Sequence, residues 1–257
     1  MGIFEKFGEY YDLIYRGFKN YENECKALEK IFTELSKKKP KSVLDVGCGT
    51  GSHALIFARH GCEVAGIDIS KVMIEKARVK ARKEKAKIEF SVQDMRKIRL
   101  SRKFDAAVSM FGAIGYINSY EGLTRVFSSI KRHLNKDGLF LFEFWNLTGI
   151  RPTPYQRWME TKDKKITVYR LSETNLNPHS NILTLDMKFI VLKKDKLVET
   201  FEEKHLHRCY TQAEMRHYLE NNGFRPLAAY DWDAEDVTEL KEPKRETFRI
   251  LAVARKS

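Results

Sequence analysis

The chain has 257 residues, 42% hydrophobic and 12% aromatic, and is long enough to bury the core of one large domain. Its 47 Lys and Arg against 35 Asp and Glu give a formal net charge of +12, which keeps a polyanionic partner such as a nucleic acid open. Because Lys, Arg and Glu are interspersed and only three Gln occur, we expect a solvated surface of the kind typical of heat-adapted proteins.

The cysteine pattern excludes a zinc site of the usual spacing. Four cysteines occur without any C-x-x-C pair, which indicates a reducing compartment, a cytoplasmic location and no metal centre. The first eighteen residues mix charges among their apolar residues, so we expect neither a signal peptide nor a membrane span there.

Hydrophobic periodicity predicts the elements in chain order. Residues 21–35 show helical spacing, and from residue 42 to 145 short β-like runs such as "SVLDV" and "EVAGID" alternate with helical stretches. A capping box of Asn118 and Glu121 is expected to open one of these helices. Alternating strands and helices predict an α/β fold, a Rossmann-like, mostly parallel sheet with helices on both faces.

After residue 150 the periodicity changes from helical to two-residue spacing. The runs "KKITVYRLSE", "ILTLDMKFIVLK" and "KLVETFEEKHLHR" predict antiparallel hairpins. Thr211 and Glu214 then predict a capping box for the last helix, which two strands follow. We therefore divide the chain into an N-terminal segment with its helix (1–40), an α/β core (41–150), an antiparallel β insertion (151–209) and a C-terminal helix with two strands (210–257).

A glycine motif, Asp45-x-Gly47-x-Gly49-x-Gly51, directly follows the first predicted strand. In open parallel sheets ligands bind beyond the carboxyl ends of the strands, where glycine permits a tight turn and close approach of the backbone. Ser52 occupies the third glycine position of the dinucleotide fingerprint, and no P-loop Gly-Lys-Ser/Thr follows. A cofactor without a diphosphate is therefore favoured over a plain strand-to-helix turn.

This motif resembles the first motif of class I S-adenosylmethionine-dependent methyltransferases. The resemblance implies a seven-stranded sheet and S-adenosylmethionine as cofactor, with S-adenosylhomocysteine as product. Asp68, at the end of the second strand, is suited to accept hydrogen bonds from ribose hydroxyls. The resemblance implies that Asp94 accepts a hydrogen bond from the adenine amino group. The cofactor-binding residues implied in this core are Asp45, Gly47, Cys48, Gly49, Gly51, Asp68, Ile69, Asp94, Met95, Met110 and Phe111.

Several other stretches, among them "YYDLIYRGFKNY", "MFGAIGYI", "EFWN" and "EKHLHRCYT", look like the subgroup of aminosugar N-methyltransferases, and more distantly like glycine N-methyltransferase. This resemblance implies that the N-terminal segment covers the cofactor, with Tyr11 and Tyr21 near its methionine end. Aromatic faces suit a sulfonium cation. The alternative is that this aromatic stretch only packs onto the sheet.

The same resemblance, together with position at the carboxyl end of the fifth predicted strand, suggests acceptor-side residues. Tyr116 stands where the aminosugar enzymes tend to carry a histidine, and a tyrosine with a pKa near 10 orients by hydrogen bonding rather than taking a proton. His205 is then the candidate general base, and Glu143 is a candidate partner for an amine. The candidate acceptor-binding residues are Tyr15, Trp145, Asn146, Arg208 and Arg245.

The expected function is methyl transfer to a nitrogen, or less readily an oxygen, of a small-molecule acceptor. One alternative is an RNA or protein methyltransferase that uses the basic surface, although no Asn-Pro-Pro-Tyr or Asp-Pro-Pro-Tyr tetrad follows the fourth strand. A second is a noncatalytic S-adenosylmethionine-binding protein. The insertion offers strand edges for self-pairing, which leaves a lid, a homodimer contact or both open.

Overall fold

The computed structural model describes residues 4–17 and 19–257, which form two compact units. The smaller unit joins the described part of residues 1–19 to residues 151–208, and the larger unit joins residues 20–150 to 209–257. This division differs from the segments drawn from the sequence at residues 20–40. Helix α2 (Tyr21–Ser36) belongs to the larger unit because Leu28, Ile31 and Phe32 are buried in its core.

A seven-stranded sheet forms the centre of the larger unit, whose residues the structure describes throughout. Its strands are β1 (Ser42–Val46), β2 (Glu63–Asp68), β3 (Ile88–Val92), β4 (Phe104–Ser109), β5 (Leu134–Trp145), β10 (Phe224–Asp231) and β11 (Arg249–Lys256). They lie in the order β10-β11-β5-β4-β1-β2-β3. The first five pair in parallel, whereas β11 pairs antiparallel with both β5 and β10. The expected fold class is confirmed.

Helices cover both faces of this sheet because successive strand residues point to opposite sides. Val43 packs in a core with α2, α3 (Ser52–Arg59) and α4 (Lys71–Lys83). The next residue, Leu44, packs on the other side with α5 (Tyr120–His133) and α6 (Gln212–Asn221). Since β1 lies between β2 and β4, the strand order reverses at β1, and a crevice for a ligand is expected at its carboxyl end.

The two predicted capping boxes have different outcomes. Thr211 and Glu214 form theirs as expected, but the box of Asn118 and Glu121 is wrong. Ser119 is the actual N-cap of α5, and its Oγ accepts the backbone N–H of Gly122 at 3.1 Å. A Cβ on Gly122 would lie only 2.8 Å from that oxygen, so the glycine leaves room for the cap one residue later than expected.

The smaller unit is a four-stranded antiparallel sheet with a helix on one face, among the residues described there. The strands run in sequence order, β6 (Tyr155–Lys162), β7 (Ile166–Asn177), β8 (Ile182–Lys193) and β9 (Lys196–Arg208). The expected hairpins are confirmed, and β6 is an additional strand. Phe7 and Ile14 of α1 (Lys6–Tyr15) pack on Val168 and Phe189. No helix within residues 4–17 and 19–257 is long and apolar enough to cross a membrane.

A comparison of two alanine substitutions tests the packing of the glycine turn. Gly51 and Gly61 both have positive φ, +77° and +89°, so alanine strains either backbone by about 1–2 kcal/mol. A Cβ on Gly51 would also lie 2.8 Å from the Phe90 ring, whereas nothing lies within 4 Å of one on Gly61. Urea unfolding should show that Gly51→Ala loses about 1–3 kcal/mol more than Gly61→Ala; equal losses would contradict this packing.

Candidate cofactor and acceptor site

The three glycines after β1 have different surroundings. All have positive φ, +72° at Gly47, +53° at Gly49 and +77° at Gly51. A Cβ on Gly47 would lie 2.7 Å from the Cβ of Ala113, and one on Gly51 would meet Phe90, so packing excludes a side chain at both positions. Around Gly49 nothing lies within 4 Å of such a Cβ. The turn is therefore packed at its two ends and open at its middle.

Asp68 lies beside this open position, at the end of β2. Its Oδ2 accepts the N–H of Gly49 at 2.9 Å, and its Oδ1 accepts the N–H of Ser70 at 2.8 Å. Burial raises the pKa of Asp68, although the hydrogen bonds from Ser70 and Gly49 oppose that effect. The adjacent Ile69 is 67% exposed and presents an apolar surface at the same edge.

Asp94 and Met95 follow β3 at the same edge of the sheet. The guanidinium of Arg96 donates to both carboxylate oxygens of Asp94, and this hydrogen bonding lowers the pKa of Asp94. Met95 places its Cε 3.5 Å from where a Cβ on Gly47 would stand. The structure thus brings Asp94, Met95 and the glycine turn together, with an arginine partner that the sequence analysis did not identify.

An unusual backbone conformation follows β4. Met110 is buried, and Phe111 has a φ of +59°, a strained value for a bulky side chain. The N–H of Phe111 donates to Oε2 of Glu143 on β5 at 3.1 Å. Glu143, considered from the sequence as a partner for an amine, is fully buried and is instead held by the protein's own backbone.

A buried carboxylate lies at the base of the glycine turn. Asp45 is 1% exposed, and its Oδ2 has no hydrogen-bond partner among the described residues. Burial raises the pKa of Asp45 to about 6, His53 lowers it and Asp68 raises it. His53 is hydrogen-bonded to Glu24 at 2.8 Å, and the ring of Tyr21 packs against His53 with centroids 5.0 Å apart. Tyr21 therefore lies next to the charged groups of the site.

Arg249 connects these groups to Glu143. Its Nη1 lies 3.7 Å from Glu24 and 3.9 Å from Glu143, while its Nε donates to Asp233 at 2.8 Å. Burial alone would lower the pKa of Arg249, but Glu143, Asp233 and Glu24 raise it above its ordinary value. Sequence analysis missed Glu24, His53 and Arg249; the one available signal was a charged residue inside an otherwise apolar run, as in "TFRILAVA".

The acceptor-side candidates of the larger unit differ in their contacts and burial. Trp145 packs against Phe248 with ring centroids 5.0 Å apart, and Tyr116 ends a short 3-10 helix, Ala113–Tyr116. Asn146 is buried, and its side-chain nitrogen donates to Thr148 and to the carbonyl of Thr247. Those contacts give Asn146 a structural role in tying two loops together. Arg245 is exposed.

The remaining candidates belong to the smaller unit. Tyr11 and Tyr15 lie side by side on α1, and the hydroxyl of Tyr15 accepts from Arg170 at 3.1 Å. His205 is 2% exposed and is hydrogen-bonded to Glu203 at 3.0 Å. Arg208 is buried at the end of β9. The roles of Tyr11 at the cofactor and of Tyr15 and Arg208 at the acceptor stay predictions.

Comparison with known proteins agrees with the fold and the turn. The family described as "Methyltransferase domain" matches residues 43–138. The dTDP-3-amino-3,4,6-trideoxy-alpha-D-glucopyranose N,N-dimethyltransferase of Streptomyces venezuelae is 32% identical over 209 residues, covering 79% of this chain and 84% of that protein. Streptomyces venezuelae DesVI has a TM-score of 0.81 at 26% identity over 98% of both chains. A S-adenosylmethionine-dependent methyltransferase structure from Clostridium acetobutylicum has a TM-score of 0.83 at 21% identity over all of both chains.

The seven-stranded sheet and the glycine turn, together with the 32% identity to the Streptomyces venezuelae dimethyltransferase over 79% of this chain, define a class I S-adenosylmethionine-dependent methyltransferase. Within that class, the chain belongs to the aminosugar N-methyltransferase type. The residues present fit the cofactor, because the space beside Gly49 is open, the carboxylate of Asp68 lies next to it, and Asp45 Oδ2 is a buried acceptor with no partner among the described residues. The expected cofactor and enzyme class are confirmed.

The buried Asp45 predicts an unusual pH dependence of stability. Because its pKa is raised to about 6, the folded protein retains a proton that the unfolded chain releases near pH 3.9. The stability from this protonated form is present at about pH 4 and is lost as the pH rises through about 6. Between those values, the unfolding free energy of the cofactor-free protein should fall relative to Asp45→Asn by on the order of 2–3 kcal/mol in urea titrations.

Asp105→Asn provides a control of opposite sign. Burial raises the pKa of Asp105, but hydrogen bonds from Asn135 and from the N–H groups of Lys41 and Ser42 hold it below its ordinary value. Relative to Asp105→Asn, the wild type should therefore lose stability as the pH falls below about 4. A parallel response of the two variants would contradict the assigned environment of Asp45.

A double-mutant cycle tests the contact between Arg249 and Glu143. Arg249→Met leaves two buried carboxylates without their guanidinium, so we expect a loss of about 3–5 kcal/mol in unfolding free energy. Adding Glu143→Gln should recover part of that loss because one uncompensated charge is removed. The exposed pair of Arg125 and Glu121 is the matched control, with a coupling below about 0.5 kcal/mol. Equal couplings in the two cycles would refute a buried network.

Proposed function

We propose that this enzyme methylates the amino nitrogen of a nucleotide-linked amino sugar. The similarity to the Streptomyces venezuelae dimethyltransferase over most of both chains carries the proposal, because that protein's name specifies a dTDP-linked 3-amino sugar and methylation of its nitrogen. The glycine turn, which fits S-adenosylmethionine, and the separate β-rich unit support the proposal. The net charge of +12 alone would favour a polyanion, but a nucleotide-linked sugar is itself anionic.

The residues of this chain act by binding and orientation. S-adenosylmethionine supplies, when bound, a methyl group on a sulfonium whose leaving group is already activated. We infer that Asp68 accepts hydrogen bonds from the ribose hydroxyls, that Asp94 accepts one from the adenine amino group, and that Ile69 covers an apolar ring face. Holding two reactants in near-attack geometry contributes roughly 7–11 kcal/mol, so the reaction needs no covalent catalysis by the protein.

The nucleophilic nitrogen has to be neutral, and the candidate bases differ in their fitness to take its proton. Tyr116 carries a hydroxyl that can orient the amine by a hydrogen bond. His205 is buried against Phe4 and Phe7 and is bound to Glu203, contacts that favour a structural role. We therefore infer that the amine binds in its neutral form and that Tyr116 orients it.

An activity assay tests the proposal directly. Incubation with S-adenosylmethionine and a dTDP-linked 3-amino sugar should give products carrying one or two added methyl groups by mass spectrometry, and dTDP-glucose should give none. Asp68→Asn should weaken S-adenosylmethionine binding roughly 10- to 100-fold in calorimetry, because a charged acceptor is lost. The exposed Glu121→Gln is the control and should bind like the wild type.

Two results would overturn the proposal. Methylation of total RNA but of no amino sugar would favour the basic-surface alternative, and binding would then weaken steeply with salt. Cofactor binding without turnover on any of a panel of small amines would favour a noncatalytic protein. Either result would leave the fold and the cofactor site unchanged.

We also infer a cytoplasmic location and adaptation to heat. The described cysteines are all free thiols, as expected in a reducing compartment. Surface ion pairs occur in small networks, in which Arg59 contacts Glu22 and Glu84 and Arg102 contacts Glu63 and Glu89. Such networks support stability at high temperature better than isolated pairs.

A further inference from the structure

Three sets of contacts meet at Arg249, the first residue of β11, at the carboxyl edge of the central sheet. Only 24% of its side chain is exposed. Its Nη1 lies 3.7 Å from Glu24 and 3.9 Å from Glu143. Its Nε donates to Asp233 at 2.8 Å, and its Nη2 donates to the carbonyl of Trp232 at 2.6 Å. Every nitrogen of the guanidinium therefore has a partner.

The first set of contacts reaches the turn after β4. The carboxylate oxygen of Glu143 that lies beside Arg249, Oε2, also accepts the N–H of Phe111 at 3.1 Å. Phe111 has a φ of +59°, a value that a bulky residue keeps only where its surroundings hold it there. Because Glu143 is fully buried, its carboxylate needs a compensating charge, which Arg249 supplies. The conformation of Phe111 thus depends on Arg249 through Glu143.

The second set of contacts reaches Trp145. Asp233 Oδ2 accepts the N–H groups of Phe248 and Arg249 at 2.7 and 2.8 Å, and its Oδ1 accepts from the guanidinium. The ring of Phe248 packs against Trp145 with centroids 5.0 Å apart. Arg249 and Trp145 are also directly opposite each other on β11 and β5, so their side chains leave the same face of the sheet. Asp233 and Arg249 therefore hold the segment against which Trp145 packs.

The third set of contacts reaches helix α2. One carboxylate oxygen of Glu24 lies beside Arg249, and the other is hydrogen-bonded to Nε2 of His53 at 2.8 Å. The ring of His53 packs against Tyr21 with centroids 5.0 Å apart. Arg249 is thus connected to a tyrosine expected near the methionine end of the cofactor.

We propose that Arg249 is a positioning residue for methyl transfer, whose guanidinium holds Phe111 and Trp145 in fixed positions relative to each other. Phe111 is a predicted cofactor residue and Trp145 a predicted acceptor residue, so this inference rests on the proposed function. A displacement of about 1 Å between reacting groups lowers a rate on the order of 100-fold. Arg249 therefore affects the reaction without touching either reactant.

The shape of the guanidinium explains why an arginine suits this position. A buried ion pair is often no more stable than well-packed apolar side chains of similar volume, so stability alone does not account for several carboxylates around one cation. A planar guanidinium presents five N–H donors in fixed directions, whereas lysine has a single ammonium. Arg249→Lys would keep the charge but could not serve Asp233, the Trp232 carbonyl and Glu143 together. This variant therefore separates positioning from charge.

Kinetics of Arg249→Lys provide the main test, at a temperature at which the variant is folded. We expect kcat for methylation of a dTDP-linked 3-amino sugar to fall at least about 30-fold. The Kd of S-adenosylmethionine in calorimetry should rise less than about 5-fold, because Asp68 and Asp94 keep their own partners. Arg125→Lys, in an exposed pair with Glu121, is the matched control and should keep both values.

Two spectroscopic measurements follow the positions without any acceptor. In protein with isotope-labelled phenylalanine, the Phe111 amide, assigned with Phe111→Leu, should exchange at least about 10-fold faster in Arg249→Lys than in the wild type. In protein with fluorotryptophan, the fluorine resonance of Trp145, assigned with Trp145→Phe, should shift or broaden. The resonance of Trp158, in the smaller unit, should stay unchanged.

Substitutions of Glu143 provide a rescue test. Glu143→Leu leaves the N–H of Phe111 without its acceptor, so its exchange should accelerate at least about 10-fold. Glu143→Gln keeps an oxygen for that N–H, while Glu24 and Asp233 still compensate the guanidinium. Exchange in this variant should stay within about 3-fold of the wild type.

Unchanged kcat in Arg249→Lys would overturn the proposal. So would a lower kcat with the Phe111 amide and the Trp145 resonance as in the wild type, or a Kd of S-adenosylmethionine that rises as much as kcat falls. Thermal unfolding checks the fold; if Arg249→Lys does not fold, equal amide exchange in Glu143→Leu and Glu143→Gln would overturn the proposal. A wild type that methylates no amino sugar would instead refute the proposed function, and the two spectroscopic measurements would still decide the positioning.

Discussion

The structure of the cofactor site depends on a steric constraint at the turn from β1 to α3. Ala113 and the Phe90 ring approach the backbone so closely at Gly47 and Gly51 that no side chain fits at either position. This packing holds the turn against its neighbours while the space beside Gly49 stays open. The N–H of Gly49 therefore donates to Asp68. The turn after β1 and the carboxylate at the end of β2 meet at the carboxyl edge of the sheet.

Around this rigid turn, the protein concentrates charges that are costly to bury. Asp45 has an oxygen without a partner among the described residues, and Glu24, His53, Arg249 and Glu143 form a chain of contacts that ends at the N–H of Phe111. Perturbed carboxylates and a strained backbone are typical of functional sites. The network therefore joins the two sides of the site, the glycine turn and the turn after β4, through side chains from α2, α3, β5 and β11.

The smaller unit uses the two faces of one sheet in different ways. On the face that α1 covers, Glu203 accepts the N–H groups of Phe4 and Phe7 and is bound to His205, so these polar groups anchor α1. On the opposite face of this sheet, alternation brings Trp158, Lys188 and Glu202 to the surface. A shift of one residue in register would move the side chains of each face to the other face. The register of these strands therefore determines both which side chains are buried against α1 and which are exposed.

The sequence by itself determined the features that depend on local pattern. Alternating periodicity predicted the sheet and its insertion, and the spacing from Asp45 to Gly51 resembles the first motif of the methyltransferases, because both signals lie within a few residues. Only the tertiary structure decided that residues 20–40 pack with the core, that Ser119 rather than Asn118 caps α5, and that Glu143 is bound by Phe111 and Arg249. Glu24 and Arg249 are far apart in the chain, and their meeting depends on strand order and helix packing. Such contacts have no short-range signature, so only the folded chain specifies them.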